Sequence, residues 1–182
     1  MALGRATPLG RGYVHVYTGN GKGKTTAALG LAFRAAGHGL RSYIGQFMKG
    51  QPYGELEAAK RLHPYITVEQ YGRPGWVHVA VPPAEEDLRA AHAGLEKARS
   101  AMRAGQYDLV VLDEILTAHH FHLLSLDEML DLVDARPEGT ELILTGRYAP
   151  PELVERADLV TEMREVKHPY QRGVLARAGI EY

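Results

Sequence analysis

Residues 18–26 read Thr-Gly-Asn-Gly-Lys-Gly-Lys-Thr-Thr, "TGNGKGKTT". The stretch ends on Gly23-Lys24-Thr25, as the phosphate-binding pattern G-x-x-x-x-G-K-[ST] does. It departs from that pattern in two ways: Thr18 stands where glycine is usual, and Lys22 adds a second lysine inside the loop. Context decides its meaning. "YVHVY" (13–17) runs in as a strand of β-forming residues, and "KTTAALGLAFRAAGHG" runs out with Ala27, Leu31 and Ala35 at helical spacing, stopped by Gly37 and Gly39. An incoming strand, glycines 19, 21 and 23 that let backbone N–H groups turn toward an anion, and a helix N-terminus are what a phosphate cradle needs. Lys24 is expected to reach phosphate oxygens, and the Thr25 hydroxyl to ligate magnesium. A glycine-rich turn with solvated lysines would not require both neighbours to be right.

Working outward, strand and helix alternate along the rest of the chain. "SYIGQFM" (42–48), "ITVEQY" (66–71), "YDLVVLDE" (107–114), "ELILTG" (141–146) and "LVTEMREV" (159–166) read as strands. Between them, helices are expected over 54–62, from about Pro83 to Gly105, after the Ser125/Glu128 capping box, and from Pro150-Pro151 to Ala157. That order predicts a single α/β domain, residues 13–182, with a mostly parallel sheet and helices on both faces; residues 1–12 read as a flexible amino-terminal arm.

The bulk numbers bound the function. The 182 residues are 45% hydrophobic and 24% charged, with a net charge of -1 and no cysteine. No basic field points to nucleic acid, no apolar run approaches a bilayer span, and neither disulfides nor thiolate sites are available. A soluble cytoplasmic protein with no membrane or nucleic-acid partner is the expectation.

"VVLDE" supplies carboxylates Asp113 and Glu114 for the metal side of the loop. Strand alternation would send the two to opposite sides, so pattern leaves the choice between them open. Arg34, further along the first helix, reads from spacing as solvated. "AHHFH" brings His119, His120 and His122 together, yet adjacent histidines point apart, which favours a solvated or supporting cluster over a metal site. Trp76, the only tryptophan, sits in the loop "GRPGWVHVAVPP", either as a lid on the core or as a wall for a large flat ligand. No positioned base and no arginine-rich lid of the kind a kinase carries is recognisable.

Together, "YTGNGKGKTTAALGLAFRAAGHG", "QFMKG", "VVLDE", "ELILTGR", "ADLVTEM" and the closing "KHPY" and "GIEY" resemble the P-loop ATP:cob(I)alamin (corrinoid) adenosyltransferases from about Gly12 to Tyr182. The resemblance implies a RecA-like P-loop fold, usually a homodimer. It implies attack by the cobalt(I) of a corrinoid, cob(I)alamin or cob(I)yrinic acid a,c-diamide, on the 5′-carbon of ATP, with triphosphate leaving whole. ATP would lie reversed in the loop. Gly19, Asn20, Gly21, Lys22, Gly23, Lys24, Thr25, Thr26 and Arg34 would bind ATP; Thr25 and Glu114 would hold Mg2+; Lys24, Trp76 and Glu114 would carry the reaction. Trp76 and His78 would meet the corrinoid, His78 standing where a second aromatic is expected. A flavoprotein would supply the electrons. The alternatives from other classes are a P-loop kinase or ATPase cutting the β–γ bond, and a non-catalytic ATP-dependent corrinoid carrier.

Overall fold

The computed structural model describes residues 9–74 and 82–182. Trp76 and His78 lie outside the described residues. Six strands form one all-parallel sheet in the order β3-β2-β4-β5-β1-β6. They are β1 (Val14–Thr18), β2 (Ser42–Phe47), β3 (Ile66–Tyr71), β4 (Leu109–Asp113), β5 (Glu141–Thr145) and β6 (Leu159–Glu162). The helices are α1 (Lys24–Gly37), α2 (Gly54–Arg61), α3 (Glu85–Arg103), α4 (Ile115–His120), α5 (Leu126–Asp134) and α6 (Pro151–Arg156), followed by a 3-10 turn over Pro169–Arg172.

Strand alternation divides the core into two layers. On one face, Val14, Val16, Tyr43, Val110, Leu112, Leu142 and Leu144 pack against Leu95, Ala98 and Met102 of α3, Ile115 and Leu116 of α4, and Met129 and Leu132 of α5. On the other, Ile44, Val111 and Ile143 meet Ala28, Ala32, Ala35 and Ala36 of α1 and Ala59 of α2. Small alanine side chains form the α1 face that meets the sheet, and α1 begins at Lys24, a short loop after β1 ends at Thr18. β4 and β5 lie inside the sheet with helices on either side, so they read as unbroken apolar runs. Each fully buried Leu, Ile or Val there contributes roughly 1.5–3 kcal/mol.

Several elements differ from the sequence expectation. β6 stops at Glu162 instead of 166, because the backbone turns away to meet the glycine loop after β1: Gly21 N donates to Met163 O at 2.7 Å and Glu165 N to Asn20 Oδ1 at 3.1 Å. Helix α4 was not expected. Of the stretch expected as an arm, Leu9 packs on the α1 layer and Gly12 N donates to Glu138 O at 2.7 Å. Among the described residues no helix is long and apolar enough to cross a membrane.

Candidate active site

All six strands point their carboxyl ends at one edge, where ligands of such sheets collect. β1 delivers the loop 18–23 there, and α1 begins at Lys24 with Gly23 at φ 122° as its cap. That backbone angle is open to glycine and strained for any other residue. Gly19, at φ 98°, and Gly21 are held tightly from above: a Cβ on Gly21 would lie 2.7 Å from Met163 O, and one on Gly19 2.4 Å from the same atom. Glycine at both positions thus leaves room for the chain that follows β6.

Lys24 is buried and folded back, its Nζ donating to Gly19 O and Gly21 O at 2.8 Å each. Burial draws its pKa below the ordinary lysine value; Glu114 and Asp113 oppose this, and the Arg147 charge adds to it. An incoming anion would relieve that cost. Thr25 Oγ1 donates to Asp113 Oδ1 at 2.8 Å, and Thr145 Oγ1 donates to the same oxygen at 2.7 Å. The other oxygen of Asp113 accepts from Lys49 Nζ at 2.8 Å and Gln46 Nε2 at 3.3 Å. Burial disfavours the Lys49 ammonium, but Asp113, with Glu55 and Glu114, outweighs it and the net shift is upward.

The two carboxylates of "VVLDE" do not part as strand alternation predicts. Glu114 leaves the strand at φ 62°, in the left-handed region, as the cap of α4. Its amide donates to Thr145 Oγ1 at 3.0 Å and its Oε2 accepts from Thr117 Oγ1 at 2.5 Å. Asp113 thus braces the loop from beneath, while Glu114 faces the cavity.

That cavity, about 680 Å³, is lined by Asn20 through Thr26, Lys49, Glu55, Glu114 and Arg147, and on the far side by His168, Tyr170 and Gly179 through Tyr182. Its volume suits a small-molecule ligand. It brings together Asn20, Gly21, Lys22, Gly23, Lys24, Thr25, Thr26 and Glu114, all among the candidate site residues of the sequence reading. Gly19 is placed beneath them by its bond to Lys24. Arg34 is exposed in the last turn of α1 and does not line this cavity. The histidine cluster disperses: His119 Nδ1 lies 2.9 Å from Leu124 O, and His120 stacks on Tyr148 at 3.9 Å. Among the described residues no group of three His, Asp or Glu could hold a metal ion by itself. Sequence reasoning missed Lys49, Arg147 and the tail. Lys49 and Arg147 follow strand ends in "QFMKG" and "ELILTGR", a positional signal that could have found them; for the tail the signal is the motifs "KHPY" and "GIEY", which hold His168, Tyr170 and Gly179 through Tyr182.

The family model described as ATP:corrinoid adenosyltransferase BtuR/CobO/CobP matches residues 10–182. The chain is 38% identical to the corrinoid adenosyltransferase of Escherichia coli K12 over 94% of its length and 86% of that protein's. It is equally similar, over the same shares, to the corrinoid adenosyltransferase CobA of Salmonella typhimurium LT2. The corrinoid adenosyltransferase of Pseudomonas aeruginosa is 36% identical over 94% of this chain and 84% of its own. With a glycine-rich loop braced on a buried aspartate and a family model that matches residues 10–182, the chain belongs to the ATP:corrinoid adenosyltransferase family.

Proposed function

We propose that the chain transfers the 5′-deoxyadenosyl group of ATP to the cobalt(I) of a reduced corrinoid, with the cavity at the loop holding the triphosphate. In that reaction the cobalt electron pair forms a bond to C5′, the C5′–O bond breaks, and triphosphate leaves with the bonding electrons. No proton is abstracted from the nucleophile, so the protein's task is orientation and charge stabilisation. The observation that carries the reading is the convergence of Lys22, Lys24, Lys49 and Arg147 on one cavity at the loop. Charge spread over three leaving phosphates calls for several cations, not one. ATP lying reversed, its terminal phosphate innermost, is the orientation that the family likeness favours.

The donor set fits magnesium held mainly through phosphate oxygens, which needs only one or two protein ligands. Thr25 Oγ1 and the Glu114 carboxylate would hold it, and it would neutralise charge on the departing triphosphate. Asp113, already accepting from Thr25, Thr145, Lys49 and Gln46, acts behind them. Trp76 and His78, outside the described residues, are the proposed corrinoid contacts. A flavoprotein reductant, a homodimer and a cytoplasmic setting complete the reading; all rest on likeness to the family.

A single-turnover absorbance assay with MgATP and chemically reduced corrinoid tests it. Appearance of the cobalt–carbon band with stoichiometric triphosphate supports transfer. Orthophosphate or diphosphate as first product would overturn it.

A further inference from the structure

The far wall of the cavity is built from the last residues of the chain, and one carboxylate ties them to the loop. Glu181 Oε1 accepts from Lys22 Nζ at 2.7 Å, and the same ammonium lies 3.4 Å from Ile180 O. Glu181 is itself gripped from within its own turn: Oε2 accepts from Arg177 N at 2.8 Å and Nε at 3.3 Å, and Oε1 from Arg177 Nη2 at 3.2 Å. Hydrogen bonds from Arg177 and then Lys22 draw its carboxyl down to about 2. Glu181 and Lys22 both line the cavity, with Ile180 and Tyr182 beside them.

We propose that Glu181 is a positioning residue for the nucleotide: braced by Arg177, it holds Lys22 across the cavity mouth and docks residues 179–182 on the loop as the outer wall of the triphosphate site. The inference rests on the assignment of this cavity to ATP made above. The Lys22 side chain is 43% exposed, so the pair adds little to folding. Its consequence is where the lysine stands. A free lysine on a glycine loop would sample many rotamers in water, and binding would have to freeze them. Here one donor of the ammonium is spent on Glu181 and one is directed at Ile180 O, leaving the third for a phosphate oxygen. Nor does Glu181 bring an uncompensated negative charge to an anion site, because Arg177 donates to both of its oxygens.

The loop is also clasped independently by residues 163–165, through Met163 O and Glu165 N. Loss of Glu181 therefore leaves the loop in place and removes only the order of Lys22 and of the wall.

The test is MgATP titration by calorimetry, without corrinoid, on the wild-type chain, E181A, K22A and the double variant. Expected is a Kd raised about tenfold in E181A, the scale of one charge-assisted hydrogen bond. In the K22A background the same change should shift Kd less than about twofold, because coupled residues are not additive. In turnover, E181A should raise KM for ATP more than it lowers kcat, a split that general loosening of the fold would not produce. Unchanged or tighter binding by E181A, or an equal effect in both backgrounds, overturns the inference alone. A wild-type chain that binds no MgATP would overturn the adenosyl-transfer reading and this inference with it.

Discussion

Thr25 Oγ1 donates to Asp113 Oδ1 across 2.8 Å, joining the first turn of α1 to the end of β4. The Asp113 side chain is only 1% exposed and balances the Lys49 ammonium. Asp113→Ala should therefore destabilise the fold by about 3 kcal/mol, the lower end for orphaning a buried charge, because Glu55 remains near Lys49. Urea unfolding measures this. A loss below about 1 kcal/mol would show that the pair is not buried as described.

Removing the folded-back lysine tests the proposed triphosphate site directly. Lys24→Ala should weaken MgATP binding by about 1.5–3 kcal/mol, the loss of a charge-assisted contact, and should suppress triphosphate release in the corrinoid assay. Calorimetry and triphosphate quantitation report the two effects separately. Wild-type affinity in this variant would sink the assignment of the cavity.

The contact between α3 and the sheet offers a test remote from the loop. Gly94 lies in α3, and a Cβ there would stand 2.7 Å from Tyr71 Cγ and 3.0 Å from Phe47 Cε1. Both rings are stiff, so Gly94→Ala should cost about 1–3 kcal/mol by overpacking, despite the better helix propensity of alanine. Thermal unfolding decides it; a stabilised variant would contradict the packing.

Helix α5 begins with a reciprocal capping box: Glu128 N donates to Ser125 Oγ at 3.2 Å and Ser125 N to Glu128 Oε2 at 2.8 Å. Ser125→Ala should cost about 1 kcal/mol. Burial would raise the Glu128 pKa, but bonds from Ser125 and the nearby His92 outweigh it, and the net shift is downward from 4.5. A carboxyl lowered in the folded state stabilises above its unfolded pKa, and the benefit is lost as pH falls through the folded value. The stability gap between wild type and Glu128→Gln should thus be full at neutral pH and shrink below 4.5. A gap that widens on acidification would refute this.

What the sequence made legible followed from short-range rules. Buried parallel strands such as "LVVLD" announce themselves as apolar runs, and Ser125 with Glu128 marks a helix start without ambiguity. Helix α4 escaped because its cap, Glu114, adopts a left-handed backbone with no side-chain cap bond, so no local signal precedes it. The same turn explains why alternation failed for Asp113 and Glu114: it brings the second carboxylate back to the cavity. "LVTEMREV" carries β-formers at both ends and no glycine or proline to mark a stop, so it reads as one strand; the pairing of Met163 O and Glu165 N with the loop, far away in sequence, ends it. Lys22 and Glu181 lie 159 residues apart, beyond any window of periodicity.

The position of β1 has a consequence for how the molecule comes into being. Among the described residues β1 pairs with β5 and β6 alone, and Val14 N is held by Asp158 Oδ2, 144 residues later. The strand that leads into the glycine loop is thus made before either of these partners and must wait for them. Such distant closure slows folding and lengthens exposure of an unpaired apolar strand. A nascent chain halted before β5 would hold the loop's full sequence and yet offer ATP no cradle.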